Sequence, residues 1–351
     1  MTSQSTETQS TQGIVAELRD AVSVRAVILV VATLLLQLGF VLSYVGALHH
    51  PVPHKASIGI VAPAAAQSQI VDQLNAVPGQ PLDARAVPSE ADAISQIKNQ
   101  TLYSAFIPDV TGTQDRLLVA SAAGASLATA IEKTMTAVDA TQHRTITVED
   151  VVPISADDQN GLSSFYLAIG WCVGGYMVAS ILGISAGARP SNMRRAVIRL
   201  GALALYSAAA GIGGAIIVGP VLGALPTALP TLWGIGTLLV FAVGAVSLAL
   251  QRFLGIAGIG VAVLIFVILG NPSSGGVYAP PLTPPFWRAV GPWLPNSAGT
   301  SLNRSYTYFA GTHSTGPWLV LAAWAIVGLA LTLLGSVVRE LPDTQTESPL
   351  L

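Results

Sequence analysis

Six apolar runs and one long polar stretch divide the chain. The first run, Val24 to Leu48, exceeds the roughly 20 residues that a helix needs to cross a hydrocarbon layer. Further runs occupy Leu162 to Ala186, Leu200 to Ala224, Thr231 to Gln251, Leu254 to Gly270 and Gly316 to Val338. The pattern predicts a polytopic α-helical membrane protein with six transmembrane helices, one plus five. The first run is too long for a signal-peptide core, and no small-x-small cleavage site directly follows it, so it is expected to stay as an anchor.

The polar stretch, residues 49–161, has its own periodicity. SIGIVAP, LDARAVP, YSAFIPD, DRLLVASA and TITVEDVVPIS read as strands, while AAQSQIVDQLNAV, SEADAISQIKNQTL and ASLATAIEKTMTAVDATQ carry helical spacing. Strands alternating with helices predict a small α/β domain between the first and second spans. Ser89 ahead of Glu90 and Asp92 reads as a helix N-cap with acids in the first turn.

Arginines close to span ends orient the whole, because positive side chains resist translocation. Arg19, Arg25, Arg189, Arg194, Arg195, Arg199, Arg252 and Arg339 all fall on one side, whereas the opposite connections, Leu225 to Pro230 and Asn271 to Thr315, carry only Arg288 and Arg304. Both termini are therefore expected in the cytoplasm and the α/β domain outside, at the plasma membrane. This divides the chain into a cytoplasmic segment 1–23, the first helix 24–48, an extracytoplasmic domain 49–161, a five-helix membrane domain 162–338 and a cytoplasmic tail 339–351. Ile14, Val15, Leu18 and Val22 share helical spacing, so the first segment is expected to lie on the membrane surface.

Composition agrees: 52% of residues are hydrophobic, 10% are charged and mean hydropathy is +0.62, far from the quarter-charged composition of soluble domains. The lone Cys172 excludes an internal disulfide and a cysteine-rich metal site. A net charge of -2 with scattered basic residues gives no reason to expect a nucleic-acid partner.

The carboxylates are informative by their absence. Between Asp158 and Glu340 there is no aspartate or glutamate, and no Asp, Glu or His lies within any apolar run. A proton-coupled pump normally needs such groups at membrane depth. No GxSxG, HExxH or glycine-rich phosphate loop occurs, so neither catalytic residues nor a cofactor is expected, and the chain does not read as an enzyme. His49, His50 and His54 cluster in HHPVPH, but two prolines stiffen that segment and no acid or cysteine is near. It reads as a solvated collar rather than a metal site. Asp157 and Asp158 read as an acidic helix start, which the helix dipole favours.

Small residues crowd GWCVGGY, AAAGIGGA and GIAGIGVA, where they allow close helix approach or a dimer face. In the 271–315 connection prolines and glycines forbid one continuous helix, yet Val277, Tyr278, Phe286, Trp287, Trp293 and Leu294 are too apolar for a free loop. Short helices at or dipping into the outer interface are expected. Pro272, Gly275, Gly276, Phe286, Trp287, Trp293 and Pro295 form a candidate outer gate. The inner loop ARPSNMRRAVIR is basic and helical after Pro190, with Arg194, Arg195 and Arg199 as candidate docking residues for a cytoplasmic partner.

A surface helix, one span, a large outer domain and five spans with a broken aromatic hairpin resemble the membrane subunits of type-2 ABC transporters. More closely, YSAFIPD, PISADDQNGLSSFYLAIGWCVGGYMVAS and NPSSGGVYAPPLTPPFWRAVGPWLPNSAGTSLNR resemble the YhgE/Pip group and the related nitrosoguanidine-resistance membrane proteins. The resemblance implies an exporter-type permease that forms a homodimer in the lipid bilayer, passes a hydrophobic or lipid-like compound between its copies, and takes energy from a separate cytoplasmic ATPase. It would place Arg194 and Arg195 in the coupling loop and make Pro272, Gly275, Gly276 and Pro295 shapers of the hairpin. The inner loop lacks the carboxylate that such coupling helices often contain. The group also includes phage-infection and secretion-associated surface proteins, so the alternative expectation is a non-transporting scaffold acting through its outer domain.

Overall fold

The computed structural model describes residues 24–185 and 193–337. The surface helix expected over residues 13–22, most of the basic loop before Met193, and the tail 339–351 lie outside the described residues.

Helix α1 spans Val24–Leu48, and the chain then builds an α/β unit: β1 Ala56–Ile60, α2 Ala64–Asn75, β2 Leu82–Ala86, α3 Glu90–Lys98, β3 Ser104–Ile107, β4 Gln114–Val119, α4 Ala125–Ala140 and β5 Thr145–Asp150. The strands form one sheet in the order β2-β1-β3-β4-β5, parallel throughout except for the antiparallel β3–β4 pair. Every segment of the polar stretch with strand or helix periodicity becomes the element its period predicts. Ser89 caps α3 by accepting from the Asp92 amide at 3.1 Å, satisfying a donor that the first turn would otherwise leave bare.

Period-2 alternation divides two cores between the sheet faces. Leu117 packs with Ile58, Ile60, Leu127, Ile131 and Met135 on the face covered by α4, whereas its neighbour Leu118 packs with Val87, Ala93, Ile97 and Leu102 on the face covered by α3. Edge strand β5 is largely exposed and charged, which discourages pairing with another chain.

The remaining helices are α5 Ser163–Ser185, α6 Met193–Ile216, α7 Leu229–Leu254, α8 Ala257–Val263, α9 Pro285–Val290, α10 Pro295–Tyr308 and α11 Thr315–Val337. Helix α7 is the axis of the bundle, burying Leu232, Leu239, Val240 and Val243 among α5, α6 and α11. Each neighbour meets it through a glycine. A Cβ would lie 2.7 Å from the Val240 carbonyl at Gly175, 2.7 Å from the Thr237 amide at Gly211, and 2.5 Å from the Val246 amide at Gly328. The small-residue runs of α5 and α6 therefore serve packing inside one bundle, the close approach that membrane helices rely on.

Helices α1, α5, α6 with its π-helical continuation Ile217–Val221, α7 and α11 are the five described helices long and apolar enough to cross a membrane. The protein is a polytopic membrane protein. The run expected as a further span, Leu254 to Gly270, is instead divided. Gly255 turns the chain with φ of 62°, and Gly258 sits so close to the end of α7 that a Cβ would lie 2.5 Å from the Leu250 carbonyl. The 7 residues of α8 and the 6 of its π-helical continuation Leu264–Leu269 give about 20 Å of helix, short of the roughly 30 Å hydrocarbon core. Helix α1 stands to one side, touching mainly this continuation, with Ser43 and Ala47 as its buried residues.

Candidate functional site

The 271–315 connection is built around a change of hydrogen-bond register. Gly270 donates to Ile265 at 2.9 Å, a five-residue step, and Asn271 donates to Val267 at 3.4 Å, a four-residue step. The Phe266 carbonyl is skipped between them, and Asn296 of α10 reaches across to it with Nδ2 at 2.9 Å. The same Nδ2 donates to Asn271 Oδ1 at 2.8 Å, and Asn271 Nδ2 donates to the Tyr44 hydroxyl at 2.7 Å. Ser43 also donates to the carbonyl of Ile268. One polar chain thus joins α1, the widened helix and α10, as expected where π-helical turns free backbone groups.

Beyond Asn271 the chain turns sharply and is buried from Pro272 to Gly276. Gly275 adopts φ of 71°, which favours glycine, and a Cβ at Gly276 would sit 2.2 Å from the Phe165 ring. The next residues enter the sheet domain: Ala279 and Leu282 join its core, and Ser126 of α4 donates to the Val277 carbonyl at 3.3 Å. Helix α9 follows with no buried residue, its Phe286 56% exposed and edge-on to Trp287 at 4.9 Å. Trp293 is 73% exposed, while its carbonyl accepts from Trp324 Nε1 of α11 at 2.8 Å. Pro295 is buried at the start of α10, where a missing amide is tolerated.

Helix α10 is polar yet interior. It buries Asn296, Thr300, Asn303 and Ser305 against α5, α7 and α11. Asn303 donates to the Ser164 carbonyl at 3.0 Å, and Arg304 to the Gly275 carbonyl at 3.1 Å. At its far end Phe309 enters the second sheet core, Gln100 of the sheet domain donates to Thr312, and the Tyr308 hydroxyl lies 3.4 Å from Asp158. Burial pushes the Tyr308 phenol up, so it remains a donor. Asp158 in turn accepts from the Leu162 and Ser163 amides, closing the start of α5. Asn296 Oδ1, Asn303 Oδ1 and Ser164 Oγ are buried without hydrogen-bond partners among the described residues. Each such atom costs about 1–3 kcal/mol.

The seven candidate gate residues are therefore one connection in two environments. Pro272, Gly275, Gly276 and Pro295 are buried shapers, while Phe286 and Trp293 project from the surface with Trp287 half-buried between. At the opposite end of the bundle Arg194 and Arg195 are exposed at the start of α6, but Arg199 is only 7% exposed. It lies near Arg252, whose Nε donates to the Gly335 carbonyl at 2.9 Å. The candidate docking residues thus divide into two surface arginines and one packed into the bundle. Sequence reasoning did not single out α10; Pro295 after Leu294, followed by polar residues at helical spacing, was the available signal.

Among the described residues no group of three His, Cys, Asp or Glu could hold a metal ion. His49 and His50 have ring centroids 6.3 Å apart, and His54 Nδ1 lies 3.4 Å from the Gly79 carbonyl. The chain matches no family model, no curated protein and no solved structure.

Proposed function

We propose that this protein is the membrane subunit of a type-2 ABC exporter, moving a hydrophobic or lipid-like compound outward with energy from a separate ATPase. One observation carries the reading: a polar helix, α10, is buried among apolar helices and tied by a broken, aromatic segment into the core of the sheet domain. Irregular backbone at membrane depth is tolerated where it is buried in protein or lines a water-filled cavity; in this reading α10 borders such a path. In this reading the connection is an outer gate, with Pro272, Gly275, Gly276 and Pro295 setting its path and Phe286, Trp287 and Trp293 meeting lipid or substrate.

The finer topology belongs to the same proposal. Helix α8 and its widened continuation, completed by the buried turn from Pro272 to Gly276, make the sixth crossing, the sheet domain is extracytoplasmic, both termini are cytoplasmic, and two copies form the working unit. Arg194 and Arg195 face the ATPase, and Arg199 holds α6 in place behind them. An external energy source fits the apolar runs, none of which holds an Asp, Glu or His, leaving no proton relay.

The test is efflux. Cells lacking the protein should retain hydrophobic toxins, and Gly276→Leu should reproduce that defect while the protein still reaches the membrane. Unchanged efflux in both, with a phenotype that follows the sheet domain alone, would instead establish a non-transporting scaffold.

A further inference from the structure

Where the segment after α1 meets α9, a cavity of about 540 Å³ is lined by His54, Lys55, Tyr103, Pro280, Pro281 and Arg288, within the usual size range of small-molecule sites. Backbone contacts hold its wall in place: the His54 amide donates to the Pro281 carbonyl at 2.9 Å, and Arg288 Nη1 donates to the His54 carbonyl at 3.3 Å. That bond uses one of the five guanidinium donors, and Nε and Nη2 have no partner among the described residues. Neither Arg288 nor Lys55 forms an ion pair among the described residues, and no residue of the lining is a carboxylate. Asp83, on the strand beside β1, is held by Arg85 at 2.6 Å. Tyr103 adds a phenol that burial pushes up, so it stays protonated as a further donor. Such a set of donors suits an anion, and the free edge of a guanidinium matches the paired oxygens of a phosphate.

The position of the cavity decides which phosphate it meets. His54 closely follows α1, and the turn after α9 reaches the bundle at Trp293, whose carbonyl accepts from Trp324 of the membrane-crossing helix α11. From α9 to that turn Phe286, Ala289 and Trp293, at i, i+3 and i+7, are exposed. Exposed aromatics next to the ends of membrane helices mark the headgroup level of a bilayer, and basic pockets beside such helices bind phosphate headgroups. We infer that this cavity seats the headgroup phosphate of an anionic phospholipid, held by Arg288 and Lys55, with the acyl chains in the apolar layer that Phe286 and Trp293 face. The site stands apart from the transport proposal, since a seated lipid needs no movement across the membrane.

Photocrosslinking of the full chain in phosphatidylcholine nanodiscs tests it, with phosphatidylglycerol that carries a diazirine at the start of one acyl chain as the probe. Peptide mapping by mass spectrometry should find the label on residues 51–55 or 284–293. Unlabelled phosphatidylglycerol should compete it away, while added phosphatidylcholine and excess inorganic phosphate should not. Lys55→Gln, which removes a side chain without an ion pair and so leaves the fold intact, should lower labelling there by about fivefold, as expected for one cation at a lipid surface. Arg288→Gln should lower it at least as much, and changing both Arg194 and Arg195 to glutamine, at the opposite end of the bundle, should leave it unchanged. Label found only elsewhere, or undiminished in either the Lys55 or the Arg288 variant, would overturn the inference. So would equal competition by phosphatidylcholine, which would mean unselective boundary lipid, or by inorganic phosphate, which would mean a site for free anions.

Discussion

Asn296 replaces a backbone donor for Phe266. The step from five-residue to four-residue hydrogen bonding at Gly270 and Asn271 leaves the Phe266 carbonyl unserved, and the Asn296 side chain meets it at 2.9 Å. Gly270 makes room, since a Cβ there would lie 2.4 Å from Asn296 Oδ1. Asn296→Leu strips the donor from two buried acceptors and should destabilise the protein by about 1–3 kcal/mol. Thermal unfolding in detergent measures this; a melting temperature equal to wild type would show that the Asn296 contact contributes nothing.

Gly276 tests the gate path by size. Its missing Cβ is filled by the Phe165 ring at 2.2 Å, so Gly276→Val overpacks the contact and should cost about 1–3 kcal/mol. Adding Phe165→Leu should restore part of the loss. The double-mutant cycle reads that coupling directly, and strictly additive effects would contradict the contact.

Different parts of this molecule were legible in the sequence for different physical reasons. The sheet domain was readable element by element, because its helices keep one face in water and a period of 3.6, while its strands, mostly buried on both faces, are short apolar runs bounded by turn residues. The apolar helices were readable from length. The run from Leu254 was legible as an apolar helix but not in its shape, because hydropathy records no register: nothing in GIAGIGVAVLIFVILG announces that Gly255 turns the chain or that Leu264–Leu269 is widened. Helix α10 was hidden for the opposite reason. Its Asn296, Thr300 and Asn303 look like loop residues, and only tertiary partners, the Phe266 and Ser164 carbonyls among them, explain their burial.

Within the sheet domain Arg144–Asp115 is the most buried ion pair among the described residues. Asp115 is 1% exposed; burial pushes its carboxyl up, but the Arg144 guanidinium and the Asp109 amide outweigh that and hold it below the usual range. Arg144→Gln leaves a buried charge without its partner and should cost about 3–5 kcal/mol. Chemical denaturation followed by far-ultraviolet circular dichroism gives the value, and a loss below about 1 kcal/mol, typical of exposed pairs, would refute the assignment.

Asp139 predicts a pH dependence of the opposite sign to that of Asp115. Burial first, then Asp115, raises its carboxyl from 3.8 to about 7. Between those values the folded domain keeps a proton that the unfolded chain has released, so this group's contribution to stability falls as pH rises through the window. Denaturation midpoints from pH 4 to pH 8 should show a decline that Asp139→Asn flattens. An identical profile in the variant would place the titrating group elsewhere.

The central claim is that a separate ATPase drives this protein, and crosslinking in native membranes followed by affinity purification and mass spectrometry tests it most directly. The account predicts an ATP-binding subunit in amounts comparable to the protein itself, lost when Arg194 and Arg195 are both changed to glutamate while membrane insertion is retained. Recovery of the intact membrane protein with no ATPase attached would contradict it.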